Sequence, residues 1–203
     1  MATRRPSLTL ESLDAEAAIE FQSSDRLAVS YNRTDEFIPV PFRIAPTATV
    51  PLGGYDYDNV ELTFNIGQQR IFNGIASVER GAPYSGTKTA IGLSRGRIRL
   101  ATQVSVEPTT SLNHVELLQG TFNTNLIGTR ATVTPTALMF VSALVQCNSQ
   151  VRTLAANVRF RWEYIPGSEL FVVYNDQRDT RGLGFPDLTN CAFIVKVNRL
   201  IRF

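Results

Sequence analysis

The chain has 203 residues, enough for one domain or two small ones, and its 43% apolar and 19% charged residues exclude a disordered or low-complexity protein. Its net charge of +2, from 20 basic and 18 acidic residues, gives no general electrostatic reason to expect nucleic acid as a partner. No apolar run approaches the roughly 18 residues of a membrane-spanning helix, so contact with a membrane would have to involve strands or a surface element.

The N-terminal residues do not form a secretion signal. Arg4 and Arg5 supply positive charge, but residues 7–14 contain acidic side chains where a signal peptide needs an apolar run. We expect residues 1–17 to be a tether or otherwise irregular. The chain either stays in the cytoplasm or is the C-terminal part of a longer exported protein, and the strand pattern that follows favours the second.

Alternation of apolar and polar residues with a period of two predicts strands along most of the chain. In the N-terminal half the alternation is clear over residues 26–32 and 59–66, and irregular Pro- and Gly-rich residues follow the first run at 39–56. Weaker or mixed alternation marks further strands over residues 18–22, 72–78, 87–94, 121–134, 138–146 and 169–175. A second irregular segment covers residues 177–190.

Two runs carry long charged side chains on their polar face, residues 97–107 and residues 154–164. The charged residues of these polar faces are Arg97, Arg99, Glu107, Arg159, Arg161 and Glu163. The apolar residues of the second run and of residues 59–66 include Val60, Leu62, Phe64, Phe160, Trp162 and Tyr164. The last run ends the chain and places on one face Phe193, Val195, Val197, Ile201 and Phe203.

Short links between about ten to twelve predicted strands indicate an all-β protein whose sheet is an antiparallel up-and-down meander of about ten strands. No composition shift marks a second domain, so we expect residues 1–203 to form a single β-barrel domain or the C-terminal part of one. Turn signals between the strands are Gly67-Gln68, residues 81–86, Arg95-Gly96, Pro135, Pro166-Gly167 and residues 182–184.

Alternation alone fits both a soluble sandwich and a transmembrane barrel. Several runs reach lengths of about 10–12 residues, which match the roughly 9–11 residues that cross a bilayer better than the 5–6 of a typical soluble strand. The charged faces suit a wet lumen, and the apolar faces suit lipid and an aromatic girdle. A transmembrane outer-membrane β-barrel is therefore the first hypothesis, and a soluble β-sandwich or lipocalin-like binding module is the alternative.

Residues 158–175, which read VRFRWEYIPGSELFVVYN, resemble the C-terminal part of the domain of unknown function 5916 family, a bacterial family with a predicted β-barrel. The resemblance continues through residues 178–180, 198–203 and 140–146, and more weakly through 41–44 and 53–55. Cys147 departs from it, because tyrosine is expected there. In that family the barrel typically follows a signal peptide and a β-sandwich similar to the family-nine carbohydrate-binding modules.

The resemblance implies a location in the bacterial outer membrane and a role as a channel or as an anchor for a glycan-binding module, both the export signal and the module belonging to a longer parent. The implied partners are the lipid bilayer, the insertion machinery that reads the terminal strand, and glycans through the missing N-terminal module. Proteins of this kind are often labelled membrane-associated hydrolases, so a hydrolase that acts on glycans is a second hypothesis.

Candidate catalytic groups are sparse in the sequence. His114 is the single histidine that a nucleophilic hydrolase could use as a base, and Cys147 and Cys191 fit no zinc or redox spacing. The eighteen acidic residues single out no pair with glycosidase geometry. The sequence therefore predicts no catalytic residue, no cofactor and no metal site. The arginine-rich face could attract anionic solutes, but internal ion pairs are the favoured explanation.

Overall fold

The computed structural model describes residues 11–45, 48–182 and 184–201 of the chain. Thirteen strands are formed by these residues. They are β1 Glu11–Glu20, β2 Arg26–Ile38, β3 Phe42–Ala45, β4 Ala48–Val50, β5 Gly53–Ile66, β6 Phe72–Gly81, β7 Thr87–Ala101, β8 Val104–Leu117, β9 Gly120–Thr136, β10 Met139–Asn148, β11 Thr153–Ile165, β12 Ser168–Asp179 and β13 Asp187–Asn198. The described residues contain no helix with the length and apolar character needed to cross a membrane.

Eleven strands form one sheet in the order β1-β2-β5-β6-β7-β8-β9-β10-β11-β12-β13, and β3 and β4 form a separate two-stranded sheet. Neighbours in the larger sheet follow one another along the chain, apart from the insertion of β3 and β4. The predicted all-β class and antiparallel meander are confirmed. In this order β1 and β13 each have one neighbour, so closure into a barrel stays a prediction.

The boundaries of several elements differ from those that the sequence pattern predicts. Residues 11–17, expected to be a tether or irregular, lie in β1, whereas residues 1–10 lie outside the described part of the chain. The irregular segment at 39–56 contains β3, β4 and the first residues of β5. At the other terminus β13 ends at Asn198, so Ile201 lies beyond the strand, and Phe203 is outside the described residues.

Two expected turns fall inside strands. Arg95-Gly96 lies within β7, and Pro135 lies within β9. The turn after β7 is at residues 102–103, so residues 97–107 belong to a hairpin and not to the single strand that their alternation predicts. Arg95 has a left-handed φ of 52°, a local irregularity of the kind that β-bulges introduce without ending a strand. Because the strand continues, Arg97 and Glu107 occupy two adjacent strands.

The internal contacts of the chain define two compact units. Unit 1 comprises Met1–Gly67, Ile75–Gly92 and Ser111–Thr124, and unit 2 comprises Gln68–Gly74, Leu93–Thr110 and Asn125–Phe203. Unit 1 contains a small hydrophobic core in which the two short strands meet β8. Its buried residues are Ala45, Ala48, Val115 and Leu117, with Ile44 and Phe122 packed against them.

In unit 2 the strand register aligns side chains of the same character across successive strands. Val141 of β10 lies opposite both Val133 of β9 and Phe160 of β11. Because side chains alternate between the two faces of a strand, this register places most of the apolar side chains at the centre of β9 to β13 on one face and most of the charged side chains on the other. Phe140, Leu144 and Phe171 are apolar residues of the second face. These two faces of unit 2 contain most of the candidate functional residues.

Candidate functional site

Three cross-strand rows make up what we call the apolar face of unit 2. The first row consists of Val133, Val141, Phe160, Val172 and Val195. The second row consists of Ala131, Ala143, Val158, Tyr174 and Phe193. The third row consists of Met139, Trp162, Leu170 and Val197. No charged residue lies in these three rows, which span four or five neighbouring strands.

The apolar face is partly exposed, since its residues are either exposed or half-buried. Val158 and Trp162 of β11 retain 38% and 40% of their accessible surface, and Phe193 of β13 retains 68%. Val195 and Val197 are also exposed, whereas Phe160 and Tyr164 are half-buried. The exposed residues of the apolar face therefore lie on neighbouring strands, not singly.

Polar and aromatic groups lie at both ends of the apolar face. At one end the rings of Trp162 and Tyr164 are in edge contact at 6.1 Å, and the Tyr164 hydroxyl donates a hydrogen bond to the Asn198 carbonyl oxygen at 3.1 Å. At the other end Arg178 donates from Nε and Nη2 to the two carboxylate oxygens of Asp176, at 2.7 and 3.0 Å. The apolar face is therefore a band with polar borders.

Arg178 makes further contacts at its end of the band. Its guanidinium lies 4.7 Å from the ring centroid of Phe185, a cation–π contact, and Nη1 donates to the Pro186 carbonyl oxygen at 3.3 Å. The Tyr174 hydroxyl donates to Asp176 Oδ2 at 3.2 Å. Asp176 is buried, so its charge is compensated by the guanidinium and the phenol.

Unit 1 has an apolar surface of the same kind on β2 and β5. Val60, Leu62 and Phe64 lie directly opposite Tyr31, Val29 and Leu27. All three residues of β5 are exposed, while the alternate residues Glu61 and Thr63 are half-buried. The apolar side of β5 is thus the more exposed side.

The polar face of unit 2 lies opposite the apolar face and includes Glu107 of β8. Glu107 Oε1 is 3.7 Å from Arg97 Nε, and Oε2 is 3.7 Å from Arg130 Nη1. Glu107 also lines three depressions. One of about 400 Å³ is shared with Arg97 and Arg99, one of about 200 Å³ with Arg130, and one of about 270 Å³ with Arg130 and Arg159. Five of the polar-face residues thus surround neighbouring depressions.

Arg161 and Glu163, the other two predicted polar-face residues, contact their own hairpin, and Arg99 also bonds the segment before β6. Arg161 Nε donates to Glu169 Oε1 at 2.9 Å across the β11–β12 pair, and Glu163 Oε1 accepts a hydrogen bond from the Gly167 amide at 2.9 Å. Arg99 Nη2 donates to the Gln68 carbonyl oxygen at 2.8 Å. Arg161 and Glu163 therefore stabilise the turn between β11 and β12 and do not belong to the Glu107 cluster.

Unit 1 contains an aromatic cluster that the residue pattern does not predict. Tyr84, in the turn after β6, has ring-centroid separations of 5.9, 5.4 and 5.9 Å from Phe42, Tyr55 and Tyr57. It adopts a left-handed φ of 54°, which is unusual for a bulky side chain. Burial, followed by the nearby charge of Glu36 and by Tyr57, raises the pKa of the Tyr84 phenol above its ordinary value of 10.0.

His114 is exposed and interacts with two polar neighbours. Its Nδ1 lies 2.5 Å from Asn123 Oδ1, and its Nε2 lies 3.1 Å from Glu116 Oε1. These contacts involve no serine or cysteine that the imidazole could activate. Within residues 11–45, 48–182 and 184–201, no group of three or more His, Cys, Asp and Glu side chains is arranged to hold a metal ion.

No protein-family model matches the chain, and no curated protein matches its sequence. The resemblance to the domain of unknown function 5916 family therefore stays a prediction, as do the outer-membrane location and the association with a carbohydrate-binding module.

Proposed function

We propose that the chain is a β-sheet segment of a bacterial outer-membrane barrel, with its apolar faces toward lipid and its polar face toward a lumen. In this role it forms part of a channel wall or an anchor for a glycan-binding module of a longer parent protein. The observation that carries the proposal is the inverted exposure of β5 and β10, in which apolar side chains are more exposed than the polar side chains between them.

The inversion is visible in two strands of different units. In β5, Val60 and Leu62 retain 48% and 44% of their surface while Glu61 between them is half-buried. In β10, Val145 and Cys147 are exposed while Gln146 between them is half-buried. A sheet that packs in water does the opposite, because apolar burial contributes about 25 cal/mol per Å². Exposing apolar side chains to water costs the same free energy, whereas exposing them to lipid does not. The exposure of these side chains therefore supports the proposal.

The dimensions of the apolar face also agree with a bilayer. From Leu154 to Tyr164 the strand covers ten residue steps, about 33 Å at roughly 3.3 Å per residue. A strand tilted by about 40° would cross about 25 Å of membrane over this length, the height of the outward apolar band of a transmembrane barrel. The Trp162 and Tyr164 rings would then lie at one membrane interface and the Asp176–Arg178 pair at the other.

Trp162 provides the experiment, because it is the single tryptophan of the chain. The full chain is refolded into vesicles whose lipids carry bromine either close to the headgroup or near the end of the acyl chain. We expect strong quenching of Trp162 emission by the first lipid and weaker quenching by the second, since the ring would lie at the interface. Moving the indole to mid-band with the double substitution Trp162→Phe and Val158→Trp should reverse the order.

A chain that remains in the aqueous phase as a folded monomer, with tryptophan emission unaffected by either lipid, would contradict the proposal. The apolar faces would then belong to a protein core or a protein interface, which is the soluble sandwich alternative.

A further inference from the structure

We propose that the pocket between β7 and β8 in unit 2 is a binding site for oxyanions, the phosphate or carboxylate groups of anionic solutes. The inference deepens the proposed function, since on a lumen-facing surface such a site would favour anionic solutes. The binding itself, however, depends only on the polar face of unit 2.

The pocket has a volume of about 400 Å³, within the range of small-molecule sites. Its charged lining residues are Arg95, Arg97, Arg99 and Glu107, and Asn73 and Thr109 add uncharged hydrogen-bonding groups. Three guanidinium groups and one carboxylate give the lining a net charge of +2. A positively charged concave surface with amide and hydroxyl donors is chemically complementary to an oxyanion.

Arg95 is held in an unusual backbone conformation at the rim of this pocket. Its φ is 52°, and the backbone at Gly96 is packed so closely that a Cβ there would lie 2.5 Å from the Pro108 carbonyl oxygen. A Cβ on Gly74 of β6 would lie 2.9 Å from the Gly96 Cα. The neighbouring strands therefore fix the irregularity that orients Arg95, and strained positions of this kind cluster at ligand sites.

The donors of the pocket are incompletely used by the protein. Among the described residues no carboxylate oxygen lies within the 4.0 Å of an ion pair to Arg95, and Glu107 is 3.7 Å from Arg97, beyond hydrogen-bond distance. Arg99 is different, because Nη2 donates to the Gln68 and Arg70 carbonyl oxygens at 2.8 and 3.3 Å, which fixes its charge in place. Arg95 and Arg97 thus have donors left for a ligand, and a guanidinium can bind an oxyanion through two parallel hydrogen bonds.

Glu107 would act as the internal competitor of the bound anion. It is shared between Arg97 and Arg130, each at 3.7 Å, and it repels any anion that enters. Its removal should therefore strengthen anion binding. A purely structural ion-pair network makes the opposite prediction, since loss of Glu107 would then only loosen the cluster.

The test is a titration of the full chain, folded in an uncharged detergent, with inorganic phosphate at constant ionic strength, followed by calorimetry. We expect the double substitution Arg95→Gln and Arg97→Gln to weaken binding at least about tenfold, and Glu107→Gln to strengthen it several-fold. Arg181→Gln is the matched control, because it also removes a positive charge but lies in the loop after β12, paired with Asp179. It should leave the affinity unchanged.

Equal weakening by the Arg181 control would overturn the site in favour of a general charge effect, and so would unchanged or weaker binding in Glu107→Gln. If the double variant does not fold, Arg95→Lys serves in its place, since it keeps the charge but loses the paired donors and should weaken binding. The titration is independent of vesicle insertion. A chain that inserts but does not bind phosphate contradicts this inference alone, and a chain that binds phosphate but does not insert contradicts the membrane proposal alone.

Discussion

Val158 lies directly opposite Tyr174 across the β11–β12 pair, and both side chains are exposed on the apolar face. The proposed membrane location makes this row the middle of the lipid-facing band. Val158→Arg should therefore lower the free energy of unfolding in vesicles by about 2–4 kcal/mol, the cost of an arginine near the bilayer midplane. Urea titration of the vesicle-inserted chain measures the change.

Asn157→Arg is the matched control for this substitution, because the adjacent residue points to the polar face and lines a depression with Asn175. It should change the stability by far less. Similar costs for the two arginines, or a larger cost at residue 157, would mean that the faces are assigned the wrong way round.

Gly96→Ala should destabilise unit 2. The added Cβ would lie 2.5 Å from a carbonyl oxygen of β8, so the backbone has to shift, at a cost of about 1–3 kcal/mol. Chemical denaturation gives the loss. Gly54→Ala is the control, because a Cβ there meets nothing within 4 Å, and it should leave the midpoint unchanged or slightly raised. A neutral Gly96→Ala would show that β7 is not fixed against β8 at this point.

The Tyr84 phenol makes unit 1 sensitive to high pH. Its pKa is raised in the folded chain, chiefly by burial, so the folded state retains this proton after the unfolded state has lost it. The corresponding stability is fully present below the ordinary tyrosine pKa of 10.0 and is lost as the pH rises through the raised value.

Ultraviolet titration of tyrosinate should accordingly contain a late phase above the ordinary tyrosine pKa of 10.0, and Tyr84→Phe should reduce its amplitude by one phenol. The variant should also lose less stability than the natural chain between neutral pH and strongly alkaline pH. Tyr31→Phe, on β2, serves as the control and should leave the late phase in place.

Arg178→Lys should loosen the end of β12 although the charge is retained. A lysine cannot make the two parallel hydrogen bonds that Arg178 donates to the buried Asp176 carboxylate. We therefore expect the free energy of unfolding to fall by about 1–2 kcal/mol, and amide exchange at the start of β13 to become faster. Arg181→Lys should change the stability by less than about 0.5 kcal/mol, because its ion pair with Asp179 is exposed and 3.7 Å long. Equal effects would indicate that the Arg178 pair contributes no more than a surface ion pair.

Period-two alternation was sufficient to predict which residues of β5 and β11 share a face, because the pleat of a strand alternates its side chains. It was insufficient for β1, where Leu13, Ala15, Ala17 and Ile19 alternate with mainly acidic residues. Alanine and glutamate have low β propensity, and pairing with β2 supplies the hydrogen bonds that propensity does not predict.

The residue pattern also failed to predict the ends of β7 and β8, because it does not contain information on packing between strands. Arg95-Gly96 has the composition of a turn, and only the close packing of Gly96 between Gly74 and Pro108 keeps it within a strand. The Glu107 cluster and the rings around Tyr84 bring together residues that are distant in sequence. Local patterns contain no information about such pairs, so the sequence predicted the charged residues but not their partners.

The strand order has a consequence for how a barrel could be completed. In an antiparallel meander each strand reverses the direction of the one before it, so the first and the eleventh strands, β1 and β13, run in the same direction. Direct pairing of these two strands would be parallel, whereas bacterial single-chain outer-membrane barrels have an even number of antiparallel strands. A fully antiparallel barrel built on this sheet therefore needs an odd number of additional strands, and the free edges of β1 and β13 are where they would add.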